Sequence, residues 1–261
     1  MVDMGYLEKI VVDLYNVKEI DIFPEGTQWK DSVKHYKTLL KTELNNDVEL
    51  IDECVDVLYD CILENFGKPK KIAAVPEAST TIADVMYERH EVPNVRYRCE
   101  YQKYMDVAEL LEKEGMLKAA EEVRSLSDPR VAKTKLHGNG SPLIGTIEKY
   151  DRMVIIDNVT SSGKSIIEAL DIYNNSAKVY DESLELGENF FIEEAAVFIV
   201  NDPAAVEVLE NAGVCVCYPL TSKSAIEILW DNQEDIIPER RQLLIDNYKI
   251  LEEEVSVWDN F

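Results

Sequence analysis

Between Lys133 and Ser165 the chain reads KTKLHGNGSPLIGTIEKYDRMVIIDNVTSSGKS: a basic loop, a β-branched apolar run, two polar residues and a hydroxyl-rich turn containing glycine. These types at this spacing suit a sugar that carries phosphate. Thr160, Ser161, Ser162 and Gly163 precede a helix expected to begin near Lys164 and Ser165. Backbone N–H groups and hydroxyls at a helix N-terminus converge on phosphate oxygens. Asp157 and Asn158 stand where the strand Met153 to Ile156 is expected to end, and a carboxylate there can hold ribose hydroxyls or a hydrated metal ion. An ordinary N-cap is the plainer reading of the same hydroxyls. A Walker A loop does not fit: GKS is present at Gly163 to Ser165, but the pattern needs glycine at position 158, which is Asn158.

The elements that must position these residues follow from periodicity. Val33 to Leu44 and Val48 to Phe66 carry apolar residues at helical spacing, and Gly67 with Pro69 stops the second. Strand and helix then alternate: Ile72 to Val75, Thr81 to Arg89, Val95 to Tyr97, Met153 to Ile156, Ser165 to Tyr173, Ala196 to Val200, Ala204 to Asn211 and Val214 to Tyr218. Such alternation predicts an α/β fold, a mostly parallel twisted sheet flanked by helices, with ligands bound beyond the strand C-termini. Two stretches interrupt it. Met105 to Ser127 is rich in Ala, Leu and Glu and ends before Asp128-Pro129, which predicts a helical hairpin; Asn174 to Glu194 is acidic and reads as irregular.

Acidic residues number 51 against 27 basic ones, a net charge of −24, which argues against nucleic acid and anionic membranes as partners. Arg124, Arg130, Lys133, Lys135 and His137 form a basic island that would steer a phosphorylated substrate. The five cysteines, Cys54, Cys61, Cys99, Cys215 and Cys217, lack C-x-x-C pairs and read as reduced thiols, with core packing expected for all but Cys99. MVDMGYLEKIVVDLY has early acids and no clean apolar core, so no secretory signal is read, and no run reaches the roughly 18 apolar residues of a membrane span. A cytoplasmic protein is expected. No Pro/Gly/Ser-rich linker divides the 261 residues, which predicts a single domain.

The motif at 153–165 resembles the phosphoribosyltransferase signature, an apolar strand followed by two acids, an apolar pair and T-x-G, and is most similar to that of the orotate phosphoribosyltransferases. Ala73 to Glu100 resembles that family's diphosphate-loop strand and helix with its closing arginine segment. Lys135 to Gly140 resembles its mobile K-x-H-G loop, and Val197 to Leu229 its last strand-helix-strand and closing helix. The resemblance implies a type I phosphoribosyltransferase-like fold. In it, residues 1–67 hold N-terminal helices and a hood completed by the C-terminal segment, 68–220 the core with insertions near 104–130 and 174–194, and 221–261 the C-terminal helices.

The activity it implies is transfer of a phosphoribosyl group from phosphoribosyl diphosphate to orotate, with Mg²⁺, in a homodimer whose mobile loop reaches the neighbouring subunit's site. Lys135, His137 and Asp157 take the catalytic positions. Arg98, Lys133, Asn158, the turn Thr160 to Ser165, Ala78 and Ser79 of the diphosphate loop, and Lys30 near the base take the binding positions. The chain departs from the family at Asn158 for the second acid, Cys99 for a lysine, Ser161 for a threonine, and Asp202-Pro203 where the family has Asp-Arg. Pro203 offers no side-chain donor to a base carboxylate, so a Pro203→Arg change is expected to restore one. Another base, or a catalytically silent nucleotide-sensing regulator, remains open beside orotate.

Overall fold

The computed structural model describes residues 3–18, 20–27, 36–40, 48–75, 79–97, 107–108, 110–127, 143–145, 151–180 and 192–255. The strands β1 (Ile20–Thr27) and β2 (Tyr36–Leu40) form a two-stranded antiparallel ribbon. The main sheet comprises β3 (Lys71–Ala74), β4 (Asn94–Tyr97), β5 (Leu143–Ile144), β6 (Met153–Thr160), β7 (Glu194–Val200), β8 (Cys215–Cys217) and β9 (Leu220–Thr221). Its order is β5-β4-β3-β6-β7-β8, with β9 on β7, and every pairing is parallel except β4 with β5. The α/β architecture expected from the alternation is therefore present.

Side-chain alternation sends successive strand residues to opposite faces. Ile72, Ala74, Val154, Ile156, Ala196 and Phe198 pack with the helices Met4–Asn16, Val48–Asn65, Thr80–His90 and Ser222–Asp231. Ala73, Val75, Met153, Ile155, Ala195 and Val197 pack with the helices Lys164–Tyr180 and Pro203–Asn211. Both faces are thus covered, and the central strands are apolar up to Ile156 on β6, as parallel strands buried on two sides tend to be.

The first helix and the helix Pro238–Val255 meet at Arg240. Its guanidinium lies 4.0 Å from the centroid of the Tyr15 ring, and its Nε and Nη2 donate to the carbonyls of Tyr15 and Ile20 at 3.0 and 2.8 Å. The Tyr15 hydroxyl donates back to the Arg240 carbonyl at 3.1 Å. This fastens the helix Pro238–Val255 to the first helix and to the start of the ribbon.

Several expectations are corrected. The helix expected over 33–44 is not present at Tyr36–Leu40, which is a strand whose partner is Ile20–Thr27, in a register pairing Ile20 with Leu40; the rest of that span lies outside the described residues. Cross-strand pairing decides a short segment whose own periodicity is ambiguous. β6 does not end at Asp157 but runs to Thr160, because Val159 and Thr160 keep pairing with Ile199 and Val200 of β7. Residues 174–180 are helical, continuing the helix from Lys164. Cys54, Cys61 and Cys217 are buried free thiols, whereas Cys215, at the start of the edge strand, is exposed. The hairpin read in 105–127 has helical residues at 107–108 and 110–113, a turn at Gly115 with φ +75°, and the helix Leu117–Ser127. Among the described residues no helix is long and apolar enough to cross a membrane.

Candidate functional site

The site is built on the C-terminal end of β6. Its apolar residues Met153 to Ile156 are buried in the two cores, and the strand carries Asp157, Asn158 and Thr160 onward as buried polar groups. The Asp157 carboxylate accepts the Asn158 N–H at 2.9 Å, and the Asn158 side-chain oxygen accepts the Val159 N–H at 2.8 Å. Burial pushes the Asp157 carboxyl up to about 7, against the opposing pull of its backbone hydrogen bond. An acid poised there exchanges its proton near neutrality and is drawn to the ionised form by an arriving cation.

Beyond Thr160 the chain turns sharply into the helix Lys164–Tyr180. The Thr160 hydroxyl accepts the Gly163 N–H at 3.1 Å and closes the turn. Gly163 has φ +71°, and an added Cβ would lie 3.0 Å from Leu209 Cγ and 3.1 Å from the Ala205 carbonyl oxygen. Both the left-handed backbone and the close approach of the helix Pro203–Asn211 require glycine here. Ser162, Lys164 and Ser165 are exposed around the helix start, and Ser161 is half-buried. Lys164 lies in solvent, with Glu168 one helical turn on at 3.7 Å. A 17-residue helix brings partial positive charge and unpaired first-turn N–H groups to this point. The turn can therefore hold a dianionic phosphate, with Asp157 three residues before its first residue on β6.

Neighbouring strands fix the surroundings. Ser79 is fully buried; its hydroxyl donates to the Ile156 carbonyl at 2.7 Å and its N–H to the Val75 carbonyl at 3.4 Å. Its donors are thus engaged within the protein, and its part is to lock the end of β3 against β6. The Tyr173 hydroxyl, from the helix behind the turn, donates to the Ala74 carbonyl at 2.7 Å. Asp202 caps the helix Pro203–Asn211 by accepting the Ala204 N–H at 2.9 Å, and Pro203 is buried at its first turn.

Of the residues singled out from sequence, Asp157, Asn158 and Thr160 to Ser165 come together at one strand end, with Ser79 behind them. Lys30, Ala78, Arg98, Lys133, Lys135 and His137 lie outside the described residues. Sequence reading missed Asn201, which follows β7 directly. Its N–H donates to the Thr160 carbonyl at 2.9 Å and its side-chain Nδ2 to Ser161 Oγ at 3.2 Å. The available signal was a lone amide between an apolar strand and a helix-capping Asp-Pro.

No protein-family model and no curated protein matches the sequence. Solved structures do match the fold. The UMP synthase of Leishmania donovani superposes with a TM-score of 0.59 at 16% identity over 94% of this chain, which spans 42% of that protein's length. An orotate phosphoribosyltransferase from Aeropyrum pernix gives 0.54 at 15% identity, over 84% of this chain and 97% of that one. Another from Francisella tularensis gives 0.53 at 12% identity, over 92% and 96%. A parallel sheet with both faces covered, a hydroxyl-rich turn beyond its central strand and these likenesses together make this a type I phosphoribosyltransferase-like fold.

Proposed function

We propose that this protein is a phosphoribosyltransferase that moves the 5-phosphoribosyl group of phosphoribosyl diphosphate onto a nitrogen base, with orotate the first candidate and orotidine 5′-phosphate and diphosphate the products. The observation that carries the reading is the Thr160 to Ser165 turn, closed by the Thr160 hydroxyl at the start of a long helix, with the buried Asp157 carboxyl on the same strand. The bond from the anomeric carbon to the diphosphate oxygen breaks, the bond from that carbon to the base nitrogen forms, and positive charge builds on the sugar between the two events.

In this reading the turn grips the 5-phosphate and Asp157 takes the ribose hydroxyls, placing negative charge near the cationic sugar. Arg98, Lys133, Lys135 and His137 would neutralise the departing diphosphate, with His137 donating a hydrogen bond or proton. Ala78 and its loop would lie beneath the diphosphate, and Lys30 would face the base. These assignments rest on the sequence motifs.

Magnesium belongs to the same proposal. Among the described residues no group of three His, Cys, Asp or Glu side chains could hold a metal. The ion would be carried by the substrate's diphosphate and ribose oxygens and by water, as Mg²⁺ at phosphate sites commonly is. Bound there, the ion would neutralise charge on the leaving group. A homodimer and a cytoplasmic setting complete the reading.

A second reading, a catalytically silent nucleotide-binding regulator, draws support from Pro203 and Asn158. Pro203 is buried with no donor to offer a base, and Asn158 has its side-chain oxygen on the backbone. Incubation with phosphoribosyl diphosphate, Mg²⁺ and a panel of bases separates the two: diphosphate release supports the transferase, and tight nucleotide binding without turnover supports the regulator.

A further inference from the structure

We infer that Asn201 is a positioning residue for the phosphate turn and acts through Ser161; the inference rests on the reading of that turn as the 5-phosphate cradle. Asn201 is the point where four elements are tied. Val200, the residue before it, pairs with Thr160 across β6 and β7. The Asn201 N–H donates to the Thr160 carbonyl at 2.9 Å, extending that pairing to the turn's first residue. Its own carbonyl accepts the Ser222 hydroxyl at 2.9 Å, at the first residue of the helix Ser222–Asp231. That helix start is itself fixed by a reciprocal pair, in which the Thr221 hydroxyl accepts the Ser224 N–H at 3.0 Å and the Ser224 hydroxyl accepts the Thr221 N–H at 2.9 Å.

Held on this frame, the amide Nδ2 reaches the turn and donates to Ser161 Oγ at 3.2 Å. The direction of that bond carries the chemistry. A hydroxyl has one proton to give and two lone pairs, and an amide N–H can only fill a lone pair. Ser161 therefore keeps its proton on the side away from Asn201. A phosphate dianion accepts only, so each hydroxyl that grips it must arrive as a donor.

Asn201 Oδ1 is out of reach of solvent and, among the described residues, has no hydrogen-bond partner. Buried polar atoms are nearly always paired. Turning the amide over would give Oδ1 the Ser161 proton, so the end that faces Ser161 decides whether the hydroxyl is left to donate to a ligand. A carboxylate of the same shape would reverse the exchange, accepting the Ser161 proton and turning it from the ligand.

Calorimetry with ribose 5-phosphate tests this, since that ligand needs neither diphosphate contacts nor a metal. Ser161→Ala and Asn201→Ala are each expected to weaken binding by about tenfold, the scale of one charge-assisted hydrogen bond. The double variant should bind no worse than Ser161→Ala alone, because both changes remove one contact. Asn201→Asp, close in shape, should weaken binding at least as much as Asn201→Ala in a variant that still folds, and it carries the test if Asn201→Ala does not fold. A double variant weakened by the product of the single losses, or an Asn201→Asp variant binding as the parent does, would overturn the role of Asn201 while leaving the phosphate turn intact. A parent protein that does not bind ribose 5-phosphate would remove the phosphate reading, and this inference with it.

Discussion

Gly163 lies so close to Leu209 that a single added methyl would stand 3.0 Å from the leucine Cγ, and its backbone is left-handed at φ +71°. The turn that opens the helix after β6 is thereby fitted against the helix after β7. Gly163→Ala should cost about 2 kcal/mol or more, combining the left-handed penalty with overpacking. Urea unfolding would read this as a lower midpoint at unchanged slope; a midpoint equal to the parent's would mean that the turn can shift without cost.

Asp157 sets a dependence of stability on pH. Its folded value of about 7 lies above the ordinary 3.8, so the folded protein keeps a proton that the unfolded chain releases over that interval. This contribution is fully present below about pH 4 and is lost as pH rises toward 7, a total on the order of 4 kcal/mol. Asp157→Asn cannot ionise. In thermal melts it should match the parent near pH 4 and exceed it near pH 8, while losing phosphoribosyl transfer; a gap independent of pH would contradict the burial argument.

How much of this was legible in the sequence depends on where the cause lies. The β-branched run before Asp157 and the alternation of strands and helices carry local signals, and both appear in the fold. The extension of β6 to Thr160 does not, because two polar residues interrupt the apolar run and only the pairing of Val159 with Ile199 sustains the strand. Tyr36–Leu40 failed for the same reason, its partner strand being invisible within the segment. Asn201 was unreadable because it meets Ser161 across parallel strands, 40 residues apart.

The basic segment makes a kinetic prediction. Lys135→Ala and His137→Ala should each lower turnover by about 10²-fold or more with a smaller change in substrate binding, since their partner gains charge only as diphosphate leaves. Steady-state kinetics with diphosphate release as the signal would decide it. Unchanged turnover in both variants would mark the segment as ordinary solvated surface.

Burial of Pro203 changes the outlook for the base. The sequence suggests that Pro203→Arg would restore a donor for the orotate carboxylate, but Pro203 sits buried at the first turn of its helix, where proline is well placed. The arginine variant should melt lower and show no gain in orotate KM. A lower KM at unchanged stability would mean that the side chain can reach the base after all.

The central claim is that the Thr160 to Ser165 turn binds the 5-phosphate of a substrate whose diphosphate is released. Its most direct test is diphosphate release from phosphoribosyl diphosphate and Mg²⁺ with orotate, uracil and other bases, comparing the parent with Ser162→Trp, whose exposed position lets an indole fill the cradle without entering the core. The account predicts release by the parent with at least one base and loss of release in a folded Ser162→Trp variant. Release that survives the tryptophan undiminished would contradict it.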